Sequence, residues 1–191
     1  MSRCSRSTSR TAGETEGAFH SVRKVAVMGG TGSGKSTVSR KLAEHLGVPH
    51  IELDALFWRP DWVMPSAEEF QPIVAAALDA DGWVVDGNYR GRLGTLVLDQ
   101  ADLVVWLDLP FWTKFWRLLR RTTRRIRTRE VLWGTNVDTW RTAFMSRDSL
   151  FWWLMKTHFP NKRKYREMLD GYPHVRLRSA RDVEHFLETA E

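Results

Sequence analysis

Eight consecutive residues near the start of the chain, Gly29-Gly30-Thr31-Gly32-Ser33-Gly34-Lys35-Ser36, restrict what this protein can fold into more than any other stretch. They satisfy G-x-x-x-x-G-K-[ST] in full. Their surroundings match the motif. Lys24–Met28 is a short, β-branched apolar run that reads as a buried strand, and from Ser36 onward Val38, Leu42 and Leu46 recur every four residues as a helical stripe. Gly47 and Pro49 mark where that helix should stop. A strand, a glycine-rich turn and a helix in this order make a phosphate-binding loop. The glycines let successive backbone N–H groups curl toward phosphate oxygens, and the helix N-terminus adds the positive end of its dipole. Lys35 then neutralises charge between the β- and γ-phosphates of a nucleotide such as ATP, and the Ser36 hydroxyl is placed to ligate Mg²⁺. Gly29, Gly30, Thr31, Gly32, Ser33, Gly34, Lys35, Ser36 and Thr37 are therefore the candidate nucleotide-binding residues.

The rest of the chain alternates short apolar runs with helical periodicity. His50–Leu53, Trp83–Val85, Leu103–Leu107 and His174–Leu177 read as strands. Ser66-x-x-Glu69 is a capping-box signature ahead of Phe70, Ile73, Val74, Ala77 and Leu78, although Pro72 inside that pattern predicts a kink or a later start. Phe111 to about Arg129 reads as one long helix, and 149–170 as helical on both sides of Pro160. Ser179-x-x-Asp182 caps a final helix. Strands alternating with helices, the strands apolar throughout, predict an α/β protein built on a parallel sheet.

Composition limits the alternatives. With 191 residues, 42% of them hydrophobic and 27% charged, the chain suits one globular domain, expected over 22–191. Residues 1–21 are rich in Ser, Thr and Arg and nearly devoid of apolar side chains, which predicts a disordered extension. The single cysteine, Cys4, excludes an internal disulfide framework and a cysteine-built zinc site. The six histidines show no metal-ligand spacing. No apolar run approaches the roughly 18 residues of a membrane span, so the expectation is a cytoplasmic protein without a membrane partner. The net charge of +6 is uneven: residues 111–170 carry 15 basic and 5 acidic side chains, a net of +10, which leaves the remainder at −4. Such asymmetry calls for an anionic partner.

Three aspartates follow strands and compete for the magnesium-side role: Asp54, Asp86 and Asp108. Ligands of parallel sheets bind beyond the strands' C-terminal ends, so all three are candidates, and spacing alone does not choose among them. The arginines are more regular. Arg117, Arg120, Arg121, Arg124 and Arg125 fall on one face of the long helix, with Trp112, Phe115, Leu119, Thr122 and Ile126 opposite. Like charges along one stripe repel, and a transferring phosphoryl group is a charge that would offset them. Each turn advances about 5.4 Å, so only the first turns reach a single site, and Arg117 and Arg121 are the candidates. Lys162-Arg163-Lys164 and Arg147 are further basic residues with reach from the 149–170 side. The aromatic-rich stretch Trp133, Trp140, Phe144, Phe151, Trp152, Trp153 and Phe159 fits either a small core or base stacking; core is the commoner fate.

Asp86-Gly87-Asn88-Tyr89-Arg90 resembles the D-G-F-P-R motif of adenylate kinases, with the arginine kept and the central pair changed. Leu107-Asp108-Leu109-Pro110 followed by Arg117 and Arg121 resembles the strand–proline–R-x-x-x-R spacing that opens their lid. Ile51–Trp58 together with Trp83–Tyr89 is similar to a narrower bacterial group of adenylate-kinase-like P-loop kinases, called DNA topology modulation proteins. The resemblance runs over most of 23–190. It implies the nucleoside-monophosphate-kinase fold, a five-stranded parallel sheet of order 2-3-1-4-5 flanked by helices, with a basic helical lid over about 111–170. It makes Asp86 the choice for a water-mediated Mg²⁺ contact and Arg90 a contact for acceptor or transferring phosphate. It also puts Ser179-Ala180 against adenine. Asp54 stands where related kinases recognise AMP, and an aspartate there suits an acceptor hydroxyl as hydrogen-bond acceptor or general base.

The expectation is thus an ATP- and Mg²⁺-dependent kinase acting on a small acceptor, first a nucleotide or nucleoside, second a hydroxylated metabolite. Lys35, Asp54, Arg90, Arg117 and Arg121 are the candidate catalytic residues, and Ser36 and Asp86 the metal-binding ones. The alternative is an ATP-binding protein whose 111–170 segment holds nucleic acid.

Overall fold

A computed structural model describes residues 22–60, 63–132, 136–137 and 150–189. The expected extension over 1–21, together with Trp133, Trp140, Phe144 and Arg147, lies outside the described residues. In chain order the elements are β1 (Lys24–Gly29), α1 (Lys35–Leu46), β2 (His50–Glu52), α2 (Leu53–Phe57), α3 (Ala67–Ala77), β3 (Trp83–Asp86), α4 (Arg90–Leu93), β4 (Leu103–Leu107) and α5 (Phe111–Thr128). After them come the two-residue β5 (Val131–Leu132) and β6 (Asn136–Val137), then α6 (Leu150–Leu169), β7 (His174–Leu177) and α7 (Ala180–Thr189).

β2, β3, β1, β4 and β7 lie side by side in that order, every neighbouring pair parallel, which is the expected 2-3-1-4-5 sheet. β5 and β6 form a separate antiparallel ribbon. The central strands are covered on both faces, which is why they read as unbroken apolar runs. Alternate residues of β1 serve opposite faces. Val25 and Val27 join Val38 and Leu42 of α1 and Phe186 of α7, whereas Ala26 and Met28 meet Trp106, Tyr165 and Leu169 on the other side. A third cluster packs Trp83 and Val85 against Leu53, Phe57, Phe70 and Val74. Burying each large apolar side chain of this kind contributes about 1.5–3 kcal/mol.

Register positions the chemistry. Val27 stands opposite Asp86 and Gly29 opposite Leu107, so β1, β3 and β4 end at one level and Asp86 and Asp108 flank the turn that leaves β1.

Three expectations are corrected by the structure. α3 begins at Ala67, where the capping box places it, and runs through Pro72 without a later start. The cap satisfies two end groups reciprocally, Glu69 N–H to Ser66 Oγ at 3.2 Å and Ser66 N–H to Glu69 Oε2 at 2.9 Å. The carbonyl that Pro72 leaves without an N–H belongs to exposed Glu68, where water serves. Leu53 opens α2 rather than ending β2, because Leu53 and Phe57, four apart, are both buried on one helical face. Finally, α5 turns a different stripe inward: Lys114, Leu118 and Thr122 are its buried residues, while Trp112 and Trp116 are 65% and 57% exposed. Of the aromatic stretch, Phe151 is core against Leu118 and Leu154, whereas Trp152 and Phe159 are exposed.

Replacing Ser66 by alanine removes the hydroxyl half of the α3 cap; the expected cost is about 1 kcal/mol, read as a lower denaturant midpoint with unchanged slope.

Candidate active site

The turn between β1 and α1 is built around close contact with α5. Gly32 has φ +77°, and a Cβ there would stand 2.5 Å from the Lys114 carbonyl oxygen, so a glycine is required on both counts. Gly34 caps α1 with no side-chain hydrogen bond, which leaves the first-turn N–H groups for a ligand. Lys35 Nζ donates to the Gly30 carbonyl at 3.4 Å, and Arg117 Nη1 reaches across from α5 to donate to the Ser33 carbonyl at 3.2 Å. Lys35 is pushed below the ordinary lysine value, first by burial and further by Arg121, while Asp54 and Asp86 act to raise it. Lys35 thus lies within reach of the charges of Asp54, Asp86 and Arg121, and Arg117 touches the same loop.

The three competing aspartates are in different environments. Asp108, 7% exposed, accepts from Arg176 Nε at 3.0 Å and Nη2 at 2.5 Å, and Lys162 Nζ lies 3.3 Å from the same oxygen. Its charge is committed. Asp86, 2% exposed at the end of β3, keeps Oδ2 buried with no hydrogen-bond partner among the described residues. The nearest cation-forming group, His50 Nε2, is 3.7 Å away, too long for a hydrogen bond. A buried carboxylate oxygen without a donor, one strand from Ser36 at the head of α1, fits a hard cation with oxygen ligands. Among the described residues no group of three or more His, Cys, Asp or Glu could hold a metal.

Asp54 lies in the first turn of α2 and accepts the Tyr89 hydroxyl hydrogen at 2.6 Å. Burial first, then the Asp54 charge, pushes the Tyr89 phenol far above its usual value, so it stays a donor. Tyr89 also packs on Phe57, ring centroids 4.4 Å apart. Its neighbour Asn88 donates to the Tyr165 hydroxyl of α6. The two residues that depart from the adenylate-kinase pattern thus tie the segment after β3 to α2 and α6. Gly87 just before them has φ +135°, and a Cβ there would stand 2.6 Å from that of Leu53. Glu52, not singled out in the sequence, joins Asp54 and Asp86 as a third carboxylate; burial and then those two charges raise it above the usual range.

Arg90 is exposed at the head of α4 and lines a cleft together with Met28, Leu53, Gly87, Tyr89 and Leu93. Its charge is felt by Tyr172. Ser179, expected near adenine, is occupied as the cap of α7: its Oγ accepts Asp182 N–H at 3.1 Å and donates to Asp182 Oδ1 at 2.6 Å.

Lys114 is the residue that sequence reasoning missed. It is 4% exposed, and its Nζ lies 3.2 Å from where a Cβ on Gly30 would be. Burial first, then Lys162 and Lys35, brings it down to about 8 against the attraction of Asp108. The signal was its place three residues before Arg117 and four before Leu118, on the inward line of α5.

No protein-family model matches the chain. A cytidylate kinase of Pyrococcus horikoshii is 32% identical over 108 residues, 51% of this chain and 56% of that protein. An adenylate kinase of Halobacterium salinarum is 33% identical over 109 residues, 44% of this chain and 50% of that one. The chain thus spans about half the length of the curated relatives it matches. Among solved structures, a shikimate kinase from Acinetobacter baumannii superposes with a TM-score of 0.53 at 16% identity, covering 91% of this chain and 93% of that chain. A gluconokinase from Sinorhizobium meliloti superposes with a TM-score of 0.51 at 20% identity, covering 88% and 91%. The chain has the P-loop kinase fold. These likenesses support the broad resemblance to P-loop kinases and do not extend to the narrower DNA topology modulation group. No helix among the described residues is long and apolar enough to cross a membrane.

Lys114 binds fewer protons folded than unfolded between about 8 and 10.5, so stability is expected to rise with pH across that window, with Lys35 adding to the same trend. Lys114→Met should raise the denaturation midpoint at neutral pH and flatten the rise, measured by chemical denaturation at several pH values.

Proposed function

We propose that the protein transfers the γ-phosphoryl group of ATP to a small acceptor in the cytoplasm, with a nucleotide or nucleoside as the first acceptor class and a hydroxylated metabolite as the second. In this reading 22–191 is the kinase domain and about 111–170 its basic lid region. The observation that carries it is the convergence of a lysine on the phosphate loop, an arginine from α5 touching that loop, and two carboxylates beside it. The names of the aligned cytidylate and adenylate kinases support a nucleotide acceptor first.

Gly29–Thr37 would wrap the triphosphate. Lys35 and Arg117 would then exchange the Gly30 and Ser33 carbonyls for phosphate oxygens, which make stronger, charge-assisted bonds. With Arg121 they would meet the charge that develops on the transferring group, already held in position. Where the acceptor is a hydroxyl, Asp54 would take its proton as that oxygen bonds to phosphorus and ADP leaves; Tyr89 orients the carboxylate. Arg90, on the cleft rim, would meet an acceptor phosphate. Ser36 and, through water, Asp86 would hold Mg²⁺, which supplies charge neutralisation at the phosphates when bound.

Among the described residues, several cations of the basic segment are taken up within the protein. Arg124 and Arg125 pair with Glu130, Arg163 with Glu167 and Lys162 with Asp108, and Arg117 contacts the loop.

Acceptors are to be screened with radiolabelled ATP and magnesium. A nucleoside, nucleotide, sugar or cofactor precursor labelled above the hydrolysis background is the expected result, and none labelled overturns the reading. Lys35→Ala should abolish ADP formation. Asp54→Asn should lower turnover about 10²- to 10⁴-fold while leaving ATP affinity near that of the wild type.

A further inference from the structure

We propose that Lys114 is a second phosphate-binding lysine of this site, a ligand for the same polyphosphate tail that Lys35 holds. The inference rests on the reading of Gly29–Thr37 as a nucleotide site.

Position is the first ground. Lys114, Arg117 and Arg121 are spaced i, i+3 and i+7, one line along α5, so Lys114 extends the arginine row one turn toward the end of β4. Its carbonyl abuts Gly32, and its ammonium lies against Gly30, within the motif itself.

The second ground is an ammonium whose donors are unused. Lys114 is 4% exposed, yet among the described residues its Nζ makes no hydrogen bond and no ion pair. Three donors on a cation beside the loop are open to an acceptor that enters it. The one carboxylate facing it, Asp108 at the end of β4, is already taken by Arg176 of β7 and Lys162 of α6. The other groups that face it are Lys35 from α1 and, on α6, Lys162 and His158, whose own pKa is lowered by burial and then by Lys114 and Lys162. The lysines around Lys114 thus outnumber the one carboxylate, and they offer it no acceptor. A multiply charged oxyanion in the loop would supply what this arrangement lacks.

The test is calorimetric titration of the whole protein with the unreactive imido analogue of ATP and magnesium, at about pH 8 and in two buffers of different ionisation enthalpy. A bound phosphate would raise the pKa of an amine that is part-neutral there, so the wild type should take up protons from the buffer on binding. Lys114→Met should lose that uptake and bind about ten- to a hundredfold more weakly, as expected for one charged hydrogen bond. Lys114→Arg, always charged, should keep affinity without the uptake. Lys35, also lowered by burial, would give uptake that survives in Lys114→Met. Wild-type binding with no uptake, or uptake and affinity unchanged in Lys114→Met, overturns the role of Lys114. Absence of any binding by the wild type overturns the nucleotide site itself, and the proposal with it.

Discussion

The contact between the backbone of α5 and the glycine turn is the constraint on which the site depends. Helix and loop meet so closely that a single methyl group at residue 32 would collide with the Lys114 carbonyl. Because the turn is held between the end of β1 and this helix, its curvature is set by packing. Every cation that α5 contributes inherits its position from that contact. Arg117 reaches the Ser33 carbonyl, and Lys114 lies over Gly30, because the glycine lets their helix come this close.

Charge is then partitioned along the sheet. On the β2–β3 side stand Glu52, Asp54 and Asp86, and on the β4–β7 side Asp108 is overmatched by Arg176, Lys162 and Lys114. Lys35 sits between the two fields. One side thus suits a metal and a hydroxyl group, the other an anion, and the loop joins them. The same partition separates two aspartates that look alike as neighbours of apolar strands: one is saturated by cations, and the other keeps a bare oxygen.

Much of this was legible in the chain. The motif at 29–36, the strand runs and the alternation of elements sufficed for the sheet and its order, because strands buried on both faces leave an unbroken apolar signature. The capping box at Ser66 placed the start of α3 against the warning of Pro72, since a satisfied cap outweighs one lost hydrogen bond whose carbonyl faces water. The inward face of α5 was not legible. The aromatic stripe from Trp112 is the more apolar one, and that α5 buries Lys114, Leu118 and Thr122 instead is set by the loop it packs on. Lys114 was hidden for the same reason, a charged residue being read as surface. The roles of Asn88 and Tyr89 were equally out of reach, for their partners are 77 and 35 residues away.

Those two side chains have a mechanical meaning. Asn88 is anchored to Tyr165 on α6, and Tyr89 to Asp54 on α2, with a rigidly fitted glycine just before them. The segment after β3 is thus a strut between α2 and α6. Any tilt of α6 would be passed along it to the carboxylate on α2.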